Sequence, residues 1–191
     1  TRPTAWISSM IEVIKPNGDL RICLDPRDLN RAIQREHYVM PTIEDVATRL
    51  HGAKRFSKLD VRNGFWHVCL DEDSSYLTTF HTPFGRYRWT RMLFGISSAP
   101  EVFQRRMPEV IEGLSGTEVI ADDFLVVGFA AEGDETGIQD HDRNLVRFLE
   151  RCEERNLVLN GDKLHLRKTE VPFIGHITSD QGLKIGRASC R

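Results

Sequence analysis

The sequence predicts an α+β fold, an antiparallel sheet with helices on one side. Three observations carry that reading. The candidate elements run strand, helix, strand pair, helix, strand, which suits a layer architecture rather than an all-helical or helix-free one. Short β-rich runs are closed by Asn, Gly and Asp turns. Two longer stretches, 98–111 and 140–155, carry apolar residues at helical spacing. A chain of 191 residues with 40% hydrophobic content buries one core, or one core with a smaller lobe attached.

Residues 7–14 and 20–24 flank Lys15-Pro16-Asn17-Gly18-Asp19, and Asn-Gly between apolar runs predicts a β-hairpin. Residues 41–50 predict a short amphipathic helix, capped by Thr42, with Ile43, Val46, Ala47 and Leu50 on one face and Gly52 as its stop. Residues 56–59 read as a strand ending on Asp60, followed by the segment 64–70 and an acidic turn at Asp71-Glu72-Asp73. Residues 76–81 and 87–92 read as extended around Pro83-Phe84-Gly85. The helix from Ser98-Ala99-Pro100 uses proline in its first turn and ends before Gly113 and Gly116. Val119-Ile120 and residues 124–127 then form a hairpin with Ala121-Asp122-Asp123 at its tip. A second long helix follows, with Leu145, Phe148, Leu149 and Cys152 as its core stripe, and residues 157–159, 164–166 and 173–178 close the chain as short strands.

The net charge is −2, which on its own argues against a simple nucleic-acid-coating protein. The charge is nevertheless sided. Basic residues crowd around Arg21 to Arg35 and Arg86 to Arg106, and acidic ones around Glu132 to Asp142. Cys23, Cys69, Cys152 and Cys190 form neither a metal spacing nor a disulfide framework, so reduced intracellular thiols are expected. No apolar run approaches the length that spans a bilayer, and no membrane partner is expected. The start at Thr1, without an initiator Met or a signal-peptide pattern, leads us to expect an internal piece of a longer chain.

Asp122-Asp123 at a hairpin tip, together with Asp60 at another strand's end, is the constellation that carries chemistry. An Asp pair is ordinarily a solvated turn. Here it lies between strands that must bury apolar faces, and a buried unpaired carboxylate is costly. Two Mg²⁺ ions a few ångströms apart need shared carboxylates of this kind, with water and phosphates completing their shells. A calcium-binding hairpin would need a contiguous ligand loop, which is absent.

Three runs make a resemblance specific. Phe56-Ser57-Lys58-Leu59-Asp60-Val61-Arg62-Asn63-Gly64-Phe65-Trp66, Leu93-Phe94-Gly95-Ile96-Ser97-Ser98-Ala99-Pro100-Glu101-Val102-Phe103-Gln104 and Val119-Ile120-Ala121-Asp122-Asp123 are similar to motifs A, B and C of reverse transcriptases. Their order and spacing resemble those of gypsy-type long-terminal-repeat retroelements. Upstream, Arg21-Ile22-Cys23-Leu24-Asp25-Pro26-Arg27-Asp28-Leu29-Asn30 is similar to the fingers motif. Downstream, Leu159-Asn160-Gly161-Asp162-Lys163 and Phe173-Ile174-Gly175-His176 resemble motif D and the primer grip.

The resemblance implies the fingers and palm of a right-hand polymerase, the palm an antiparallel ferredoxin-like sheet with helices on one face. Residues 1–55 and some of 72–95 would form part of the fingers and residues 56–183 mainly the palm. A thumb, ribonuclease H and integrase are expected to be absent. The implied activity is RNA-directed DNA synthesis on an RNA or DNA template with primer, using deoxynucleoside triphosphates, as part of a retroelement Pol polyprotein in a cytoplasmic virus-like particle. The alternative is a catalytically silent remnant that only folds or binds template-primer. By resemblance, Asp60 and Asp122 are the principal ligands of two Mg²⁺ ions, or of Mn²⁺ in their place. Asp123 is the more dispensable partner, and the Val61 carbonyl completes one shell. Lys163 resembles a motif D general acid. Lys15 and Arg21 would fold over the triphosphate, Asn63 and Gly64 would offer backbone N–H groups to it, Phe65 would lie beneath the ribose, and Phe94 and Gly95 would line the pocket. Trp66 and Phe103 read as core.

Departures from the family pattern fall beside the site rather than on it. Ile120-Ala121 stands where many relatives carry Tyr and Val, and Met40 and Leu93 stand where proline is common. Residues 184–191 leave the pattern abruptly and resemble translated sequencing-adapter DNA, so a non-native tail is expected there.

Overall fold

A computed structural model of the chain describes residues 4–14, 18–34, 38 and 41–185. In chain order the elements are β1 (Ser9–Ile14), β2 (Leu20–Asp25), α1 (Arg27–Ala32), α2 (Ile43–Arg49), β3 (Ala53–Asp60), α3 (Glu72–Leu77), β4 (Phe80–Thr82), β5 (Gly85–Tyr87), α4 (Ala99–Ile111), β6 (Thr117–Ile120), β7 (Asp123–Phe129), α5 (Ile138–Glu154), β8 (His165–Lys168), β9 (Glu170–Phe173), β10 (His176–Ser179) and β11 (Gly182–Ile185). Helices and antiparallel sheets are mixed as an α+β fold requires. No helix among the described residues is long and apolar enough to cross a membrane.

Two compact units emerge, one from the described residues of Thr1–Tyr38 and Asn63–Phe103, the other from those of Val39–Arg62 and Gln104–Arg191. In the first, β1 and β2 pair from Ser9 opposite Asp25 to Ile14 opposite Leu20. The hairpin is as predicted, although Lys15, Pro16 and Asn17 of its turn lie outside the described residues. A small core of Leu24, Phe80 and Leu93, with Trp89 against it, joins this hairpin to β4 and β5. Leu24 also donates its N–H to the Phe94 carbonyl at 3.0 Å.

Three expectations in this unit are corrected. The Asp71-Glu72-Asp73 stretch starts helix α3, and the Asp71 carboxylate accepts from the Ser74 N–H at 2.7 Å. Acidic residues suit a helix N-terminus because four N–H groups there lack partners. Tyr76 and Leu77 are therefore helical rather than extended. Trp66 is 37% exposed and stacks on Trp89 instead of entering the core. Helix α1, with Leu29 buried, escaped the sequence reading because six residues are too few to show a period.

The second unit is built on a four-stranded antiparallel sheet in the order β6-β7-β3-β8. Residues opposite one another share a face, so Phe56, Leu125, Val127 and Ile120 lie on one side, where Val46 of α2, Leu50 just after it, and Val171 and Phe173 of β9 pack against them. The other side carries α5, with Phe124 and Phe148 rings 5.0 Å apart. Helix α2 has the predicted Thr42 cap, and the structure adds its reciprocal half: Thr42 accepts from the Asp45 N–H, and the Asp45 carboxylate accepts from the Thr42 N–H. Residues 157–159 form no strand; Leu159 makes one bridge to Val61.

The buried face of α5 also differs from the predicted stripe. It runs through His141, Asn144, Phe148 and Cys152, while Leu149 is 43% exposed. Polar residues enter because the sheet supplies partners: Asn144 donates to the Val127 carbonyl at 3.0 Å, and His141 Nε2 lies 2.8 Å from Ser57 Oγ. Gly128 leaves the room this requires, since a Cβ there would strike the Gly137 carbonyl and His141. The acidic region before α5 caps it, with Asp134 accepting from the N–H groups of Ile138, Gln139 and Asp140. Ser57 and His141 are wholly buried, so this group braces the fold rather than offering a nucleophile. Burial likewise pushes the Cys152 thiol up to about 12.

Candidate active site

Strand β3 delivers Asp60 and the hairpin of β6 and β7 delivers Asp122 and Asp123, and register brings them together. Asp60 lies directly opposite Asp123, and the Val61 N–H donates to the Asp122 carbonyl at 3.0 Å. Opposed residues of an antiparallel pair have Cα atoms roughly 4.5–5.5 Å apart. Three carboxylates from two distant segments thus share one end of one sheet. The other edge of β3 is fixed as well, because Asn160 donates to the Asp60 carbonyl at 2.8 Å and Arg62 to the Val158 carbonyl at 2.9 Å.

Two lysines answer two of the three charges. Lys163 Nζ stands 2.7 Å from Asp60 Oδ2, and Lys58 Nζ 2.9 Å from Asp123 Oδ2. Lys58 is two residues before Asp60, so strand periodicity puts it on the same face, diagonal to Asp123. Burial pushes the Asp123 carboxyl up; Lys58 draws it back, and the charges of Asp122 and Asp60 push it further up. The hydrogen bond to Asp60, with the nearby Asp122 and Asp123 charges, holds the Lys163 ammonium above its usual range. Asp60 itself is 7% exposed, whereas Asp122 is open to solvent. Among the described residues no three His, Cys, Asp or Glu side chains close on one point as a ready-made ion site. The donor set is nonetheless of the chemistry a hard divalent cation takes: Asp60 and Asp123 lie opposite one another with Asp122 on the adjoining turn, and two of the three draw ammonium groups in a cation's stead. The residues that would hold it are Asp60, Asp122 and Asp123, with the Val61 carbonyl beside them.

The turn bearing the pair is held from below. Ala121 has a φ of 55°, and its N–H donates to Oε1 of Gln104, a residue of α4 that is 1% exposed. Neither Lys58 nor Gln104 was singled out from sequence. The signal for Lys58 was its spacing from Asp60; for Gln104 there was none, since nothing local links a helix residue to that turn.

The predicted nucleotide residues Arg21, Phe94 and Phe65 meet in the first unit. The Arg21 guanidinium sits 4.8 Å from the Phe94 ring centre, and Phe94 packs 4.7 Å from Phe65. Phe103 closes the group, 5.5 Å from Phe65. Gly64 makes room for the Phe103 ring, which a Cβ would touch at 2.9 Å. Asn63 before it takes a left-handed φ of 54°, and Gly95 lies where a side chain would collide with the Leu24 carbonyl. Lys15 lies outside the described residues.

In the second unit the predicted primer grip is the β9–β10 hairpin. Phe173 pairs with His176 across a two-residue turn in which Ile174 and Gly175 both have positive φ, the pattern of a type I′ turn. Phe173 is wholly buried, so it anchors the hairpin, while Ile174 and Gly175 are exposed at its tip.

Residues 13–178 match the family described as reverse transcriptase (RNA-dependent DNA polymerase). The chain is 34% identical over 174 residues to the retrovirus-related Pol polyprotein from transposon 412 of Drosophila melanogaster, covering 88% of this chain and 13% of that one. It is 32% identical over 172 residues to the enzymatic polyprotein of Cauliflower mosaic virus (strain Strasbourg), covering 90% of this chain and 24% of that protein. The chain therefore spans a quarter or less of these relatives. Among solved structures, the foamy viral protease-reverse transcriptase bound to double-stranded DNA superposes with a TM-score of 0.82 at 22% identity, over 97% of this chain and 32% of that one. The same kind of enzyme with an RNA/DNA hybrid gives 0.75 at 22% identity, over 97% of this chain and 24% of that one. Identity this low bears on the fold, which is that of the polymerase fingers and palm.

Proposed function

The chain belongs to the reverse transcriptase (RNA-dependent DNA polymerase) family, and on that premise we propose that it is the fingers and palm of an RNA-directed DNA polymerase carried in a gypsy-type retroelement polyprotein. Its reaction is addition of a deoxynucleotide to a primer 3′-hydroxyl on an RNA or DNA template. The observation that carries this is Asp60 opposite Asp123, with Asp122 on the adjoining turn. Residues 1–55 with some of 72–95 are read as part of the fingers and residues 56–183 mainly as the palm.

Members of the family generally use divalent metal ions, and the reading here is two Mg²⁺, with Mn²⁺ able to replace them. When bound, such ions acidify the primer hydroxyl and neutralise triphosphate charge during in-line displacement. The chain's own residues do the rest. Asp60 and Asp122 hold the cations, and Asp123 adds charge beside them. Lys163, which pairs with Asp60 at 2.7 Å, is read as the general acid that would give a proton to the departing pyrophosphate. Arg21 supplies positive charge to the triphosphate, and its seat on Phe94 limits the orientations its guanidinium samples. Asn63 and Gly64 offer backbone N–H groups to phosphate oxygens, Phe65 bounds the sugar site, and Phe94 and Gly95 line the base pocket. The exposed tip Ile174-Gly175, with His176, is read as the primer contact. Template-primer binding and a place in a cytoplasmic virus-like particle follow from the same reading.

The test is Mg²⁺-dependent primer extension by a chain continued through the polyprotein sequence that follows, compared with its Asp122→Asn variant. Extension lost in a folded variant supports the reading. Equal extension by both removes Asp122 from the chemistry, and none by either favours a silent remnant.

A further inference from the structure

The turn between β6 and β7 contains two residues, Ala121 and Asp122, closed by Ile120 opposite Asp123. Positive φ at the first central residue and not at the second is the type II′ pattern, in which that place normally goes to glycine. Here it holds alanine at φ 55°, where a Cβ crowds the backbone. The next residue is Asp122. A strained residue persists only where its surroundings over-determine it, and here the surroundings include one buried side chain.

Gln104 reaches that turn from α4, and its Oε1 accepts the Ala121 N–H. The carboxamide's orientation follows from chemistry: turned round, its nitrogen would set one donor against another. Its Nε2 is buried and has no partner among the described residues. A glutamine 1% exposed is thus retained with half its hydrogen-bonding capacity unmet, and its contact with Ala121 is what sets it apart from an apolar residue of the same length. On the far side of the turn, the Asp122 carbonyl accepts from Val61. Asp122 is consequently held by one hydrogen bond before it and one after it.

We propose that Gln104 is a positioning residue for the paired aspartates, its carboxamide holding Ala121 at positive φ and so fixing where the Asp122 carboxylate stands. The inference rests on the metal-binding reading given above. Asp60 and Asp123 are restrained by their lysines and by the sheet. Asp122 has no side-chain hydrogen bond or ion pair among the described residues, so its direction depends on the backbone of this turn.

The experiment uses this chain with Mn²⁺ as the probe, binding being read by electron paramagnetic resonance well below the unfolding midpoint, where a merely structural loss leaves affinity unchanged. In Gln104→Met, of equal length and without an acceptor, hydrogen-exchange protection of the Ala121 amide should fall about tenfold while β7 stays protected, and the Mn²⁺ Kd should rise about tenfold. Adding Ala121→Gly, which accepts positive φ without strain, should restore most of the affinity with the carboxamide still missing. Unchanged protection and affinity in Gln104→Met, or no recovery with glycine, overturns the proposal. Should Gln104→Met not fold, Gln104→Glu keeps the accepting oxygen and discards the unpartnered nitrogen; Ala121 should remain protected, and loss of protection in a folded chain overturns the proposal. A wild-type chain that binds no Mn²⁺ overturns the metal reading itself, whereas wild-type binding matched by Gln104→Met overturns this inference alone.

Discussion

Ser57→Ala separates the support of the sheet from its chemistry. Ser57 is wholly buried on β3, where pairing with β8 shifts register between Phe56 and Lys58. Arg167 lies opposite that irregularity at φ 50°, and its N–H donates to Ser57 Oγ at 3.0 Å instead of to the ladder. The same hydroxyl lies 2.8 Å from His141 Nε2, and His141 Nδ1 lies 3.0 Å from Asp142 Oδ1. A carboxylate only accepts, so Nδ1 carries a proton, and in the neutral ring the serine hydroxyl donates to Nε2. Alanine leaves an N–H and a ring nitrogen without partners. At about 1–3 kcal/mol for each stranded group the loss is about 2–6 kcal/mol, a large part of the roughly 5–15 kcal/mol that holds a domain folded. At ~2–4 °C per kcal/mol for a chain of this size, Tm falls by about 4–24 °C. Urea and thermal unfolding followed by circular dichroism measure this, with exposed Thr48→Ala as the control. Ser57 points to the face opposite Asp60, so Mn²⁺ affinity of the folded variant should match wild type. A loss below about 0.5 kcal/mol, the scale of an ordinary surface change, would refute the reasoning.

Gly128→Ala should destabilise by about 3 kcal/mol or prevent folding, because the new Cβ meets the Gly137 carbonyl and the start of α5 rather than a movable side-chain tip; a normal urea midpoint would show that α5 can shift. Acid sensitivity should involve Asp142. Burial pushes its carboxyl up, but hydrogen bonds from Arg167 and His141 outweigh this and hold it below the usual aspartate range. A depressed folded-state pKa contributes stability that is present above the unfolded value and lost as pH falls through the folded one. Asp142→Asn should therefore flatten the decline in stability below the ordinary aspartate range, and an identical acid limb would contradict this. Phe65→Val, in a chain long enough to extend DNA, should raise ribonucleotide relative to deoxyribonucleotide incorporation by about tenfold to a hundredfold, the equivalent of roughly 1–3 kcal/mol at one contact. An unchanged ratio with extension intact would remove Phe65 from the sugar site.

What the amino-acid sequence determined by itself was whatever short-range physics decides. Thr42 announces the cap of α2, Val119-Ile120 and Phe124 to Val127 announce the hairpin, and Asp60 at a strand's end marks the third carboxylate, because capping and period-two alternation act over a few residues. Contacts between distant segments were decided only by tertiary structure. Strand register placed Lys58 against Asp123, and a helix brought Gln104 beneath Ala121. Burial against β3 and β7 turned His141 and Asn144 inward and left Leu149 in water. Polarity alone predicts the opposite for those three residues. A buried polar group is stable where a partner from elsewhere in the chain meets it, and no local pattern encodes where that partner will be.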